Sequence, residues 1–259
     1  VTVGDIRYHR EFASKVLPDR RSVIVYLPPG YESSDKRYPV LYLHDGQNLF
    51  DGETSFIRGQ EWQVDEAAER LIAEGRIEPL IIVGIENAGV NRIDEYTHTF
   101  DAKMDRGGKA PNYGIFLTRE LKRMIDRTYR TLPGREFTAL GGSSLGGLVT
   151  LFLGLRYPRV FGKLAVMSPS IWWDRRSVLE ELERYRGVWR PKIWLDSGTK
   201  EGDVTLKNTR QLRDLLTAKG WVPGRTLHYF EAEGADHSER AWAERVPLML
   251  EALFPAKLG

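Results

Sequence analysis

Ser144 and His237 are the residues whose types and surroundings could do chemistry together: a hydroxyl that can attack and an imidazole that can take its proton. Ser144 lies in Gly141-Gly142-Ser143-Ser144-Leu145-Gly146-Gly147. Before that stretch, Glu136 to Leu140 alternates like a short strand. After it, Leu148 to Leu155 is apolar nearly all round, like a buried helix. A serine between glycines at a strand-to-helix turn is the G-x-S-x-G pattern of a nucleophile elbow. Such a turn is so sharp that its serine is strained, and a Cβ at either flanking glycine is expected to collide with nearby backbone. The hydroxyl is thereby pushed above the sheet, at the positive end of the following helix. Register selects Ser144, because centring on Ser143 puts Leu145 where the second glycine must stand. No G-K-[ST] follows, which argues against a phosphate loop. A glycine-rich turn that merely packs a helix on a sheet is the plain structural alternative.

A serine of this kind needs a base to take its proton and an acid to orient the base, in the chain order Ser, acid, His. Two histidines follow Ser144. His228 sits inside an alternating strand, where a structural role explains it. His237 sits in Glu233-Gly234-Ala235-Asp236-His237-Ser238, a loop between the final strand and final helix, where strand ends present catalytic groups. The acid belongs in Asp196-Ser197-Gly198-Thr199-Lys200-Glu201-Gly202-Asp203. Asp196 reads as strand end, Asp203 as a helix N-cap, and Asp236 as too close to His237 in sequence to face it. Glu201 is the choice that is left. The oxyanion hole needs two backbone N–H donors, expected from Leu145 and, after the strand Val40 to Leu43, from Gln47 in His44-Asp45-Gly46-Gln47-Asn48. His44 with Asp45 lacks a third ligand at metal spacing, so no metal site is expected.

The elements that must position these groups alternate. Residues 6–12 and 21–27 read as a half-exposed antiparallel pair; Val40 to Leu43, Leu80 to Ile85, Lys163 to Met167, Lys192 to Leu195 and Thr226 to Phe230 read as further strands. Helices are expected over Trp62 to Glu74, from Pro111 to Tyr129, over Val204 to Ala218 and over Glu239 to Phe254. Strand–helix alternation predicts an α/β fold, a mostly parallel sheet with helices on both faces. Asn87 to Gly114 shows no period and reads as a long functional loop, its Arg92, Asp94, Glu95, Tyr96 and His98 forming a polar wall. Trp172 and Trp173, at the end of the strand after the elbow helix, are candidate platforms for a sugar or aromatic ring; Asn48, Arg92 and Tyr96 are further candidate substrate contacts.

With 259 residues, 41 % hydrophobic and 29 % charged, the chain suits a soluble globular protein, read as one domain over 1–259. A net charge of +2 with scattered Lys and Arg shows no nucleic-acid or membrane footprint. The absence of cysteine removes disulfides and thiolate chemistry, and leaves open both a cytoplasmic protein and a secreted one whose leader has been removed. Oligomeric state is not legible.

Tyr42 to Asp51, Gly141 to Gly147, Ser168-Pro169-Ser170-Ile171-Trp172-Trp173, Gly198-Thr199-Lys200-Glu201 and Gly234 to Glu239 together resemble the Putative esterase (esterase D-like, enterochelin esterase-like) family of the α/β-hydrolase superfamily. The resemblance spans nearly the whole chain. It implies an α/β-hydrolase fold and a serine carboxylic-ester hydrolase, with nucleophile Ser144, base His237, acid Glu201, oxyanion donors Leu145 and Gln47, and no cofactor. The expected partner is a small-molecule ester, a short acyl group on a sugar or aryl alcohol. An acyltransferase using the same triad, or a non-catalytic binding module on the same fold, are the alternatives.

Overall fold

The computed structural model describes residues 2–256. Strands β1 (Asp5–Phe12) and β2 (Arg21–Leu27) pair antiparallel, with the register broken between His9 and Phe12, where Glu11 takes φ 55°. Only β1 is half-exposed as expected; β2 is buried at all but one position. Next come β3 (Val40–His44), α1 (Val64–Ala73) and β4 (Ile81–Ile85). The segment read as a loop is structured: it holds α2 (Arg92–Tyr96) and a short hairpin, β5 (Phe100–Asp101) and β6 (Arg106–Gly107). Elements this short carry no repeating apolar pattern, so periodicity could not register them. A helical stretch then runs through α3 (Ala110–Ile115), a π-helical segment (Phe116–Leu121) and α4 (Lys122–Thr128).

The second half follows as β7 (Thr138–Ser143), α5 (Leu145–Arg156), β8 (Lys163–Met167), α6 (Ser177–Arg184), β9 (Lys192–Gly198), α7 (Asp203–Ala218), β10 (Leu227–Ala232), α8 (Glu239–Ala243) and α9 (Val246–Leu253). Helix α6 has no counterpart in the sequence reading. The expected final helix is two, and Pro247 in the first turn of α9 explains why. Proline has no N–H to give and clashes with the preceding turn. Asp203 is the first helical residue of α7, not its cap; Gly202 takes the cap position.

The strands form one eight-stranded sheet in the order β1-β2-β4-β3-β7-β8-β9-β10. Strand β2 meets β4 antiparallel, and every neighbouring pair from β4 to β10 is parallel. Alternation along a strand sends successive side chains to opposite faces. Val40 and Tyr42 therefore join the core beneath α3 to α7, while Leu41 and Leu43 join the core beneath α1 and α9. Both faces are covered, which is why β3, β4 and β7 are buried along their whole length. The parallel strands point their carboxyl ends one way, and the loops there carry the residues of interest. Among the described residues no helix is long and apolar enough to cross a membrane.

Candidate active site

Between β7 and α5 the chain reverses at Ser144, which adopts φ 58°, ψ −122°. That is a strained conformation for a residue with a Cβ. It is held by three backbone hydrogen bonds: the Ser144 N–H donates to Met167 O (3.0 Å), and its carbonyl accepts from Leu148 N (3.0 Å) and from Ser170 N (3.0 Å). The Ser144 hydroxyl lies 3.1 Å from the Ser170 hydroxyl. Ser143, the last residue of β7, is buried at 5 % exposure and borders the same cleft as Ser144. Contrary to expectation, only one of the two flanking glycines is sterically confined. A Cβ on Gly142 would come within 3.0 Å of the His44 ring and 3.1 Å of Gly146, but one on Gly146 would meet nothing closer than 3.4 Å. The tight place is one residue on: a Cβ on Gly147 would lie 2.7 Å from Met167 O and 3.2 Å from Pro169 Cα. It is the approach of α5 to the loop after β8 that demands glycine there.

His237 precedes α8, and its Nδ1 lies 2.8 Å from Glu201 Oε2. Its side chain is 40 % exposed, whereas that of Glu201 is fully buried. Glu201 comes from the loop after β9. Its other oxygen, Oε1, accepts from Ser168 Oγ (2.6 Å) and from the Gly198 N–H (2.6 Å), with Arg245 Nη2 at 3.5 Å. Burial pushes this carboxyl up, but the bonds from His237, Ser168 and Gly198 outweigh it, leaving Glu201 below the usual glutamate value. A charged carboxylate facing Nδ1 fixes the tautomer with the proton on Nδ1 and a lone pair on Nε2. The other acids are committed elsewhere. Asp196 is buried in β9 with Arg245 (2.9 Å) and Trp194 Nε1 (2.7 Å), and burial pushes its carboxyl up to about 6 against the pull of Arg245. Asp236 accepts from Ser238, and Asp203 is exposed.

After β3, Asp45 turns in the left-handed region (φ 57°) and Gly46–Asn48 form a single 3-10 turn. A Cβ on Gly46 would strike the backbone of Gly84 and Ile85 at 2.6–2.8 Å, so this turn can press against β4 only as glycine. The first N–H groups of such a turn have no partner within it, and Gln47 holds one of them. Leu145, at the start of α5, holds another. Asp45 anchors the turn. Arg92 grips its carboxylate through Nε (2.7 Å) and Nη2 (2.8 Å), and Asn87 Nδ2 adds a third bond (2.7 Å). Burial raises and Arg92 lowers the Asp45 carboxyl, and the net shift is downward. His44 is buried between Tyr96 and Tyr113, with Nδ1 2.9 Å from Tyr113 Oη, and burial lowers it to about 3. It is a core histidine.

Ser144 and His237 line one cleft of about 290 Å³ with Gln47, Asn48, Asn87, Arg92, Glu239 and Trp242, rimmed by Phe56 and Ile57. Asn48 and Arg92 thus reach it as expected. Tyr96 and Trp173 do not. Tyr96 is fully buried, its hydroxyl accepting from the Asp45 N–H, and Trp173, 1 % exposed, donates to Thr99 O. Trp172, 46 % exposed, is outside the cleft lining. The polar wall is also overturned. Glu95 is buried against Arg21, His98 is half-buried and stacked on Phe152, and Asp94 binds Lys109, while Val90, Phe100 and Met104 face out alongside Lys103 and Asp105. Glu239 and Trp242 went unrecognised as cleft residues, although their spacing of three places them on one face of α8. Phe56, Ile57 and Asn87 carried no pattern that could have found them.

A model of the family described as Putative esterase matches residues 14–253. The uncharacterized protein YbbA of Bacillus subtilis is 26 % identical over 90 % of this chain and 92 % of its own length. The endo-1,4-beta-xylanase/feruloyl esterase of Xylanibacter ruminicola is 29 % identical over 89 % of this chain and 29 % of its own. The crystal structure of the BES protein from Bacillus cereus is similar in fold, with a TM-score of 0.77 at 24 % identity, over 98 % of this chain and 96 % of that one.

Proposed function

The chain belongs to the Putative esterase family, carboxylic ester hydrolases of α/β-hydrolase fold, and from that premise we propose that Ser144, His237 and Glu201 are its catalytic triad. The observation that carries this reading is the 2.8 Å pairing of His237 Nδ1 with the buried Glu201 carboxylate, in the cleft that the strained Ser144 enters. His237 Nε2 takes the proton of Ser144 as its oxygen attacks the ester carbonyl. The tetrahedral oxyanion is met by the N–H groups of Leu145 and Gln47. His237 then returns the proton to the leaving alcohol, and a water activated by the same nitrogen cleaves the acyl-enzyme. With His237 40 % exposed, water has ready access, which favours hydrolysis over transfer to a second alcohol.

The proposed substrate is a short acyl group esterified to a sugar or aryl alcohol. The cleft is at the lower end of the roughly 300–1,000 Å³ spanned by ligand pockets, which suits a small acyl group. Asn48 and Glu239 offer polar contacts inside it, and Phe56 and Ile57 offer an apolar edge to a ring leaving it. The test is a hydrolysis screen of acyl chain lengths against sugar and aryl alcohols, with Ser144→Ala as control. Acetyl to butyryl esters should be cleaved far better than long-chain ones. Best turnover on palmitoyl esters would remove the substrate assignment and leave the triad standing.

A further inference from the structure

Behind the proposed acid lies a buried polar cluster that the triad chemistry does not use: Ser168, Trp242, Arg245 and Asp196. Ser168 follows β8 in the left-handed region, at φ 40°, and is fully buried. A serine is strained there, and such strain persists where surrounding contacts over-determine it. Its N–H is fixed by Asp196, through the carbonyl (3.0 Å) and Oδ1 (3.1 Å). Its hydroxyl accepts from Trp242 Nε1 (3.0 Å) and from Arg245 Nη2 (3.3 Å). Both are obligatory donors, so they occupy both hydroxyl lone pairs. The one hydrogen of Ser168 then has a single destination, Glu201 Oε1 at 2.6 Å.

We propose that Ser168, with its polarity set by Trp242 and Arg245, is a positioning residue that locks the Glu201 carboxylate and reserves its second oxygen for His237. This rests on the triad reading above. Oε1 of Glu201 is filled by Ser168, Gly198 and the more distant Arg245, so Oε2 alone faces the imidazole. The charged groups around the pair are Arg245 and Asp196 behind Glu201, and Glu239 beside His237 on the first turn of α8. The role also explains why Ser168 tolerates its backbone conformation: glycine would fit the conformation but would not carry the proton.

The experiment compares Ser168→Ala and Ser168→Gly on an activated acetyl ester, with Glu201→Gln alongside. Both Ser168 variants lose the hydroxyl, but Gly relieves the backbone strain that Ala keeps, so a purely structural role would separate them. The expected result is a similar kcat loss of about 10- to 100-fold in both, the cost of a hydrogen bond to a charged group. The acid limb of log(kcat/KM) against pH should also move up by about half a unit, because a carboxylate with fewer donors holds a proton on its imidazole partner more strongly. Trp242→Phe, which frees one hydroxyl lone pair, should shift the limb the same way by less. A harmless Gly beside a harmful Ala, or a kcat loss with no movement of the limb, would overturn the role of Ser168. So would wild-type kinetics in both while Glu201→Gln collapses. Full activity in Glu201→Gln would instead remove the triad reading itself.

Discussion

At the scale of single residues, the strongest expectation concerns which hydroxyl reacts. A fluorophosphonate probe should add mass to the peptide at Ser144 and none at Ser143. Ser144→Ala should lower turnover on the order of 10⁶-fold if the triad acts as a unit. The acid is tested by contrast. Glu201→Gln should cost on the order of 10⁴-fold in kcat. Asp203→Asn, which changes one exposed carboxylate in the first turn of α7, should cost only about 0.3–1 kcal/mol of helix-dipole stabilisation with kcat unchanged. The reverse pattern in kcat would hand the acid role to Asp203. The proposed triad could be picked out beforehand because chemistry restricts such residues: a serine between glycines, a histidine in a late loop, one unclaimed carboxylate. The partners of Glu201 were not. Ser168, Trp242 and Arg245 are ordinary residue types, scattered in sequence and brought together only by the packing of α8 and α9 against the end of β8.

At the scale of elements, the parallel strands showed themselves because a doubly covered strand must be apolar without interruption, as Val40 to Leu43 and Leu80 to Ile85 are. The segment before Gly114 was misread for the opposite reason. Arg92, Glu95 and Thr97 are turned inward to hold it, while Lys103 and Asp105 stay exposed, and hydropathy cannot tell a buried ion pair from a solvated one. The Arg21–Glu95 pair is the main peg: both side chains are almost wholly buried and joined by bonds of 2.7 and 2.9 Å, with Phe116 beneath the guanidinium. Glu95→Gln, which strands the arginine charge, should destabilise by about 3–5 kcal/mol. Arg21→Met with Glu95→Leu should cost much less. Urea unfolding of the two variants decides it, and equal losses would mean that the charges are not what holds α2. Likewise Gly147→Ala should cost about 1–3 kcal/mol by forcing α5 off Met167 and Pro169, and Gly146→Ala clearly less.

At the scale of the whole molecule, the linked carboxylates set an acid limit. Asp45 and Glu201 sit below their ordinary values of 3.8 and 4.5. Depressed acids contribute stability that is complete above the unfolded values and is lost as pH falls through the lower folded ones. Asp196, raised to about 6, works oppositely, its burial cost easing as pH falls from about 6 towards 3.8. Burial also lowers His44 to about 3 and His98 to about 4, so both favour the unfolded chain once pH falls below the ordinary histidine value of 6.5. The melting temperature should begin to decline there and fall more steeply below about pH 4, and Asp45→Asn should flatten that steeper part. Thermal scans from pH 3 to pH 7 test this; an unchanged slope in Asp45→Asn would mean that the Arg92 pair adds nothing to acid resistance.

The buried guanidinium of Arg245 reaches Glu201 across 44 positions of chain, and Trp242 reaches Ser168 across 74. Each of these contacts must overcome the entropy of closing its loop before it stabilises the chain. The nucleophile turn can take shape between β7 and α5 while α8 and α9 are still undocked, and in that interval the chain would be shaped for attack yet chemically idle. On the proposed triad, competence requires the last helices to seat, because His237 stands just before α8. On dilution from urea, helical signal should return before turnover does, with the regain of activity timing the docking of α8 and α9.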